Sequence, residues 1–369
     1  MKFCVIGAGS GGRAVAAYLS SLNYPVNLYN RSPSRIKHIK NSGGIRAEGA
    51  IYGFYPLAKI TQNLEKAVKN TDILMVVVPA SAHKEMAKKL APFLTDDQII
   101  LLNPGRTFGS VEVSKYIKQQ RKNLKVYIAE TQTLLFTSRS LEKDMVRIHK
   151  IKDSVKFSSF RVNENPYIHK KLKAFFPQLI PAKNYFQLTL NNIGMLLHPS
   201  VALLNSGAIE TGLNFKFYGE GASKSICKIL EKLQTEINQI LKKIGLRRFD
   251  FCSWAKQVYG ESGKNIYDTL QKISVYKGID APSELKTRYF TEDVPTGLVP
   301  LASLGRFLKI DTPTIDSIIH LSNLICDIDF WEEGRTIEAL SLSRILKNRF
   351  NLETQIPEAV GERQEFLFI

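Results

Sequence analysis

Two stretches far apart in the chain hold residue types that move protons and grip carboxylates. In "LNNIGMLLHPSVALLN" (190–205), His198 closes an apolar run and precedes Pro199. A proline disfavours the α region for the residue before it. His198 is therefore expected in an extended or turn conformation at a helix end, with its imidazole presented to a cavity. The stretch "LKTRYFTEDVPTGLVP" (285–300) groups Arg288, Glu292 and Asp293 just before a buried run. Asp293 could orient an imidazole and tune it toward neutrality as an acid or base. Arg288 could hold a substrate carboxylate through two parallel N–H donors. Val294 and Pro295 would fix the loop that carries them. Glu292 is expected to face solvent or to cap the next helix. Of the other histidines, His38, His83 and His169 lie in lysine-rich polar stretches and read as solvated, His149 alternates in a hairpin, and His320 reads as a core residue.

A proton donor needs a reaction partner, and the N-terminus supplies one. "VIGAGSGGRAVAAYL" places Gly7, Gly9 and Gly12 in G-x-G-x-x-G spacing, directly after an apolar strand and at the start of a helix. Gly7 permits the tight turn, Gly9 lets backbone approach a pyrophosphate, and Gly12 lets the helix pack close to the strand; Ser10 belongs to the same phosphate-binding turn. The second strand ends "NLYNRSPSR". An NAD-preferring fold usually has a carboxylate there for the ribose 2′-hydroxyl. Here stand Asn30, Arg31 and Ser32, with Arg35 a turn later, a set suited to a 2′-phosphate. NADP(H) is therefore favoured, with NAD(H) the alternative. By analogy with dinucleotide-binding folds, Val78-Pro79 and Asn103-Pro104-Gly105 pass close to the nicotinamide end.

The elements that must position these residues fall into two kinds. In the first half, "KFCVIG", "PVNLYN", "DILMVVVP", "QIILLNPG" and "KVYIAE" are continuously apolar strand candidates separated by helical patterns. That alternation indicates a doubly wound parallel sheet covered on both faces, a Rossmann domain over residues 1–180. "VRIHKIKDSVKFSSF" alternates around a turn and reads as a hairpin. Residues 181–369 carry little strand signal and read as an α-helical domain. Ile226, Leu230, Leu233, Ile237, Leu241 and Ile244 make one helical stripe stopped by Gly245. "IDSIIHLSNLICDI" is apolar nearly all round and is expected to be a buried helix. The apolar tail "QEFLFI" is expected to dock onto the body.

Charge excludes less than its size suggests. The net charge is +17, yet residues 1–180 hold 29 Lys and Arg against 12 Asp and Glu, while residues 181–369 hold 22 of each. The basic residues are spread over separate helices without interleaved aromatics, so a solvated basic face, helped by a polyanionic ligand, is preferred over a nucleic-acid surface. Four scattered cysteines without a C-x-x-C pair read as buried thiols of a reducing compartment, the cytoplasm, and not as a zinc or disulfide framework. No apolar run is long enough for a membrane span.

"LLHPSVALLNSGAIE", "FKFYGEGASKSI", "YKGIDAPSELKTRYFTEDVPTGLVP" and "EEGRTIEAL", in this order over nearly the whole length, make the chain resemble the NAD/NADP-dependent octopine/nopaline dehydrogenases, the opine dehydrogenases. The resemblance implies a Rossmann domain followed by a helical domain like that of 6-phosphogluconate dehydrogenase. It implies reductive condensation of an α-keto acid, often pyruvate, with the amino group of an amino acid. His198 would be the acid/base residue, Asp293 its partner, and Arg288 the carboxylate ligand. "AETQTLLFTSR" (129–139) resembles the family's segment near substrate and nicotinamide, with Thr133 and Ser138 as contacts; Leu135 stands where the family usually has proline. Asn205 and Glu210 would either line the cleft or pack helices, and "FYGEG" would be a turn. A homodimer is compatible with the resemblance. Two further readings stand beside it: an NADP-dependent 2-keto acid reductase on the same scaffold, and a catalytically silent dinucleotide-binding protein.

Overall fold

The computed structural model describes residues 1–350; the tail "QEFLFI" lies outside them. Twelve strands occur among these residues: β1 (Phe3–Ile6), β2 (Val26–Tyr29), β3 (Gly44–Gly49), β4 (Gly53–Pro56), β5 (Lys59–Thr61), β6 (Ile73–Val76), β7 (Ile99–Leu102), β8 (Tyr127–Thr131), β9 (Phe136–Ser140), β10 (Met145–Ile151), β11 (Val155–Ser159) and β12 (Leu179–Pro181). Eight form one sheet in the order β12-β11-β8-β7-β6-β1-β2-β5. The run from β8 to β5 is parallel, and β11 joins β8 antiparallel. Strands β1, β2, β6 and β7 are buried at every residue. Helices cover both faces of such a sheet, which is why its strands read as unbroken apolar runs.

A second, four-stranded sheet has the order β4-β3-β10-β9. Here the expectation of a hairpin at 146–160 fails. Both strands form, but β10 pairs with β9 and β3, whereas β11 pairs with β8 and β12 in the large sheet. The chain changes sheets at the turn: Lys152 N–H donates to Leu135 O at 3.1 Å and Val155 N–H to Gln178 O at 2.8 Å. Alternation announces a strand but not its partner.

From Tyr185 onward the described elements are helical. The long stripe forms Lys224–Lys243, with the Ser223 hydroxyl accepting from Ile226 N at the start and Gly245 at φ +68° just beyond the end. His198 lies within the helix Ile193–Leu203, not at its end, and Pro199 is inside it. The missing proline N–H leaves the Met195 carbonyl without its i+4 donor. Packing overrides this local preference: at Gly297 any Cβ would come within 2.5 Å of Met195 Cβ. The 285–300 stretch is also helical and not a loop. Arg288–Thr291 is one turn, Val294–Leu298 is a π-helical turn, and Val299–Leu308 continues as α-helix. The helix Pro313–Cys326 is buried on one side only, since His320 is exposed, as are Leu321 and Leu324 at 44% and 66%. The expected core histidine is therefore on the surface.

Arg335 joins the helical region to the sheet's loops. It is 2% exposed. Its guanidinium donates to Gly105 O at 3.0 Å, Thr107 O at 2.9 Å and Ala80 O at 2.9 Å, and to the Glu112 carboxylate at 3.0 Å. Truncating one partner of a buried ion pair leaves the other uncompensated, at about 3–5 kcal/mol. Arg335→Leu is accordingly expected to lower the urea midpoint strongly. An unchanged midpoint would show that the carbonyl cluster does not depend on this side chain.

Candidate active site

The glycine turn follows β1. Gly7 has φ +111°, and a Cβ there would lie 2.3 Å from Val77 O. A Cβ at Gly12 would lie 1.9 Å from Gly7 O, so helix and turn touch backbone to backbone. At Gly9 a Cβ would meet no atom of the described residues within 4 Å. Gly9 also has φ −74°, an angle open to any residue. Nothing in the protein demands glycine there, so the open face of the turn fits a dinucleotide pyrophosphate approaching the backbone. Ser10 Oγ accepts from Ser140 N at 2.9 Å, which brings β9 beside the turn. Val78 packs with its Cγ1 near Gly7, and Pro79 is exposed at the head of the next turn.

Asn30 does not face outward with its neighbours. Its Oδ1 accepts from Ala8 N at 3.0 Å and its Nδ2 donates to Ser32 O at 3.1 Å, so it braces the turn. Arg31 and Arg35 are exposed, and the half-buried Ser32 precedes the helix Pro33–Ser42 with its hydroxyl unused as a cap.

At the other end of the cleft, His198 Nδ1 and Asp293 Oδ2 are 2.6 Å apart. Asp293 is fully buried. Burial opposes its ionisation, but Arg106 and His198 outweigh burial and hold the carboxyl below its usual range. An ionised carboxylate can only accept. Nδ1 therefore carries the hydrogen, and Nε2, without a partner among the described residues, is left for chemistry. Burial also pushes the imidazole's own pKa below its ordinary value, against the pull of Asp293.

Arg106 is the residue that sequence reading missed. It follows β7, and its Nε donates to Glu292 Oε1 at 3.1 Å while its Nη1 lies 3.5 Å from Asp293 Oδ1. Nη1 also donates to Asn192 Oδ1 at 3.3 Å, and the same oxygen accepts from Gly194 N at 3.1 Å to cap the His198 helix. Burial disfavours the guanidinium charge, but Asp293 and Glu292 more than restore it. Glu292 is thus neither solvated nor a cap: it is 4% exposed, and its Oε1 accepts Ala80 N–H at 3.2 Å as well. A Cβ at Gly194 would stand 2.4 Å from Arg106 Nη1 and 2.5 Å from Asp293 Oδ1, so this glycine makes room for the pair.

Aromatic rings back the imidazole. Tyr289 stacks on His198 at 4.5 Å between centroids, Phe217 on Tyr289 at 4.8 Å, and Tyr218 stands 6.3 Å from His198. The "FYGEG" segment is therefore part of the wall, not only a turn. Arg288 is exposed, and its charge is felt at His198, Asp293 and Tyr289. Thr133 Oγ1 accepts from Lys152 Nζ at 2.8 Å, and Ser138 Oγ is buried without a partner. Asn205 ties Val201 O to Gly221 O and Glu210 is exposed, so Asn205 serves helix packing. His83, expected in solvent, is fully buried; burial and then Arg335 and Arg106 push its pKa well below the ordinary value.

The chain is similar in sequence and in fold to known proteins. Residues 181–326 match the family model of the NAD/NADP octopine/nopaline dehydrogenase alpha-helical domain, and residues 2–133 match that of the NAD-dependent glycerol-3-phosphate dehydrogenase N-terminus. The opine dehydrogenase of Arthrobacter sp. (strain 1C) is 36% identical over 342 residues, spanning 92% of this chain and 95% of that protein. The chain belongs to the opine dehydrogenases. These enzymes are NAD(P)-dependent oxidoreductases. The fold is shared with octopine dehydrogenase solved with NADH and L-arginine, at a TM-score of 0.78 and 17% identity over 96% of this chain and 99% of that one. It is shared equally with yersinopine dehydrogenase bound to NADP+, at 0.75 and 13% over 96% and 99%. Among the described residues of this opine dehydrogenase, no helix is long and apolar enough to cross a membrane.

The ligand-facing and the structural glycine of the turn separate experimentally. Gly9→Ala is expected to keep the melting temperature and to weaken NADPH binding at least about tenfold, since only a ligand needs that space. Gly12→Ala is expected to lower the melting temperature itself. If Gly9→Ala bound NADPH as the parent does, the turn would not be the pyrophosphate site.

Proposed function

We propose that the protein catalyses NADPH-dependent condensation of an α-keto acid, pyruvate being the first choice, with the amino group of an amino acid, and the reverse oxidation. The observation that carries this reading is the buried His198–Asp293 pair, 2.6 Å apart and braced by Arg106. We divide the chain into a cofactor domain, residues 1–180, and a substrate domain, residues 181–369, in a cytoplasmic enzyme. The sheet's last strand, Leu179–Pro181, supports a division near its end.

The keto acid carbonyl and the amine form a carbinolamine. Protonated His198 gives its Nε2 hydrogen to the departing hydroxyl, which leaves as water, and an iminium forms. With a dihydronicotinamide cofactor held at the glycine turn to provide hydride, the iminium carbon would receive it to give a secondary amine. In reverse, hydride leaves the secondary amine to give the iminium, and neutral His198 takes a proton from the water that adds to it, regenerating the carbinolamine. Asp293 stabilises the imidazolium and fixes its tautomer, while the depressed pKa of the buried ring eases proton release. Arg288, exposed at the mouth without a described carboxylate partner, is assigned the keto acid carboxylate. Thr133 and Ser138 are assigned to the substrate wall. Gly7, Gly9, Ser10 and Gly12 would hold the pyrophosphate, and Val78 and Pro79 would lie along the nicotinamide end. Asn30 would brace the turn from behind, while Arg31, Ser32 and Arg35 present donors to a 2′-phosphate.

The reading is tested by following NADPH absorbance with pyruvate and a panel of amino acids. Oxidation must need both organic substrates; oxidation with keto acid alone would establish the reductase alternative instead. His198→Ala should lose about 10²–10⁴-fold in turnover with NADPH binding intact. Reductive turnover should fall as pH rises through the imidazole pKa, and oxidative turnover should rise through the same value. His198→Asn should flatten both limbs, and limbs that persist would assign the proton to another group.

Arg31→Asp places a carboxylate where a 2′-phosphate would bind. It is expected to raise the KM for NADPH at least about tenfold and leave that for NADH within threefold. An unchanged preference would remove Arg31 from the cofactor site.

A further inference from the structure

Lys152 stands at the point where the chain leaves the small sheet for the large one. It is 6% exposed, and its ammonium has one described partner, the Thr133 hydroxyl at 2.8 Å. No described carboxylate lies within ion-pair distance of it. Burial, reinforced by the nearby Arg106 charge, brings its pKa down to about 7. A buried cation without a counter-ion costs several kcal/mol, and such groups are retained where something else supplies the charge. Arg106 has Glu292 and Asp293 for this purpose. Lys152 has nothing comparable among the described residues.

The surroundings hold this lysine in the cleft. The segment after β8 carries Thr133 and covers the glycine turn: a Cβ at Gly11 would meet Leu134 Cδ2 at 3.2 Å. Leu135 N–H donates to Asn103 Oδ1 at 3.1 Å, and its carbonyl accepts Lys152 N–H at 3.1 Å. A proline at position 135 could not make the first of these bonds. The leucine therefore locks the Thr133 segment to the strand-end loop of β7 and to the backbone of Lys152 at once.

We propose that Lys152, positioned by Thr133, receives the carboxylate of the amine donor, so that the enzyme selects α-amino acids over their decarboxylated amines. The inference rests on the opine reading above, in which Arg288 takes the keto acid carboxylate. The substrate then supplies the countercharge that the described residues do not.

The test uses the full chain with NADPH, pyruvate and matched pairs: L-phenylalanine with phenethylamine, L-histidine with histamine, L-arginine with agmatine. For the pairs turned over, the wild type is expected to favour the amino acid by about 10–100-fold in kcat/KM, the range of a charge-assisted hydrogen bond. Lys152→Met should collapse that preference to under about threefold through a raised amino acid KM, with the KM for pyruvate and for NADPH near the parent's. Lys152→Arg should retain most of it, which separates charge from packing. Because the lysine has no counter-ion among the described residues, Lys152→Met should melt no lower than the parent. Discrimination that survives Lys152→Met, or a KM rise confined to pyruvate, overturns the assignment of Lys152 alone. A wild type that needs no amine overturns this inference together with the opine reading.

Discussion

The neutralisation of Arg106 is the constraint on which the cleft depends. The fully buried Asp293 carboxyl would not stay ionised without a cation beside it. The guanidinium allows it. Asp293 then remains an acceptor and dictates the His198 tautomer, while Glu292 reaches past the arginine to Ala80 N–H. Asn192 serves the same guanidinium and the first turn of the His198 helix with one oxygen. One charge thus fixes a proton's position, a helix start and a strand-end loop.

Arg335 complements it from the other side. Ala80 gives its N–H to Glu292 and its carbonyl to Arg335. The loops after β6 and β7 are therefore gripped by side chains of the helical region at several backbone atoms. In open α/β sheets these carboxyl-end loops shape the ligand crevice. Here their shape is set by residues nearly two hundred positions or more downstream, and the crevice cannot be specified by the sheet alone.

That explains what was legible in the sequence. The glycine turn could be read because Gly7 and Gly12 answer local steric demands and Gly9 keeps the spacing between them open. The His198–Asp293 pair could be read because an imidazole and a carboxylate have few other reasons to sit beside apolar runs. Arg106 gave no local sign: in "NPGRTFGS" it looks like one more charge in a turn, and its meaning lies in two acids far along the chain. Lys152 was hidden in an alternating strand pattern that does not say which sheet each half joins. The helical state of His198 and of residues 288–298 was misread because prolines argue locally against helix, whereas close glycine-mediated packing overrides them. His83 and His320 exchanged places for a similar reason, since neighbours in sequence are poor guides to neighbours in space.

Arg106 belongs to the sheet, whereas Asp293 and His198 belong to the helices. Were the two bodies to part, Asp293 would lose the cation that outweighs its burial, and its carboxyl would drift toward the protonated form. The imidazole would then lose an acceptor that can only accept. Proton affinity in this cleft is an interdomain quantity: seating the domains and arming the acid are linked equilibria, and a change in one must appear as proton uptake or release in the other.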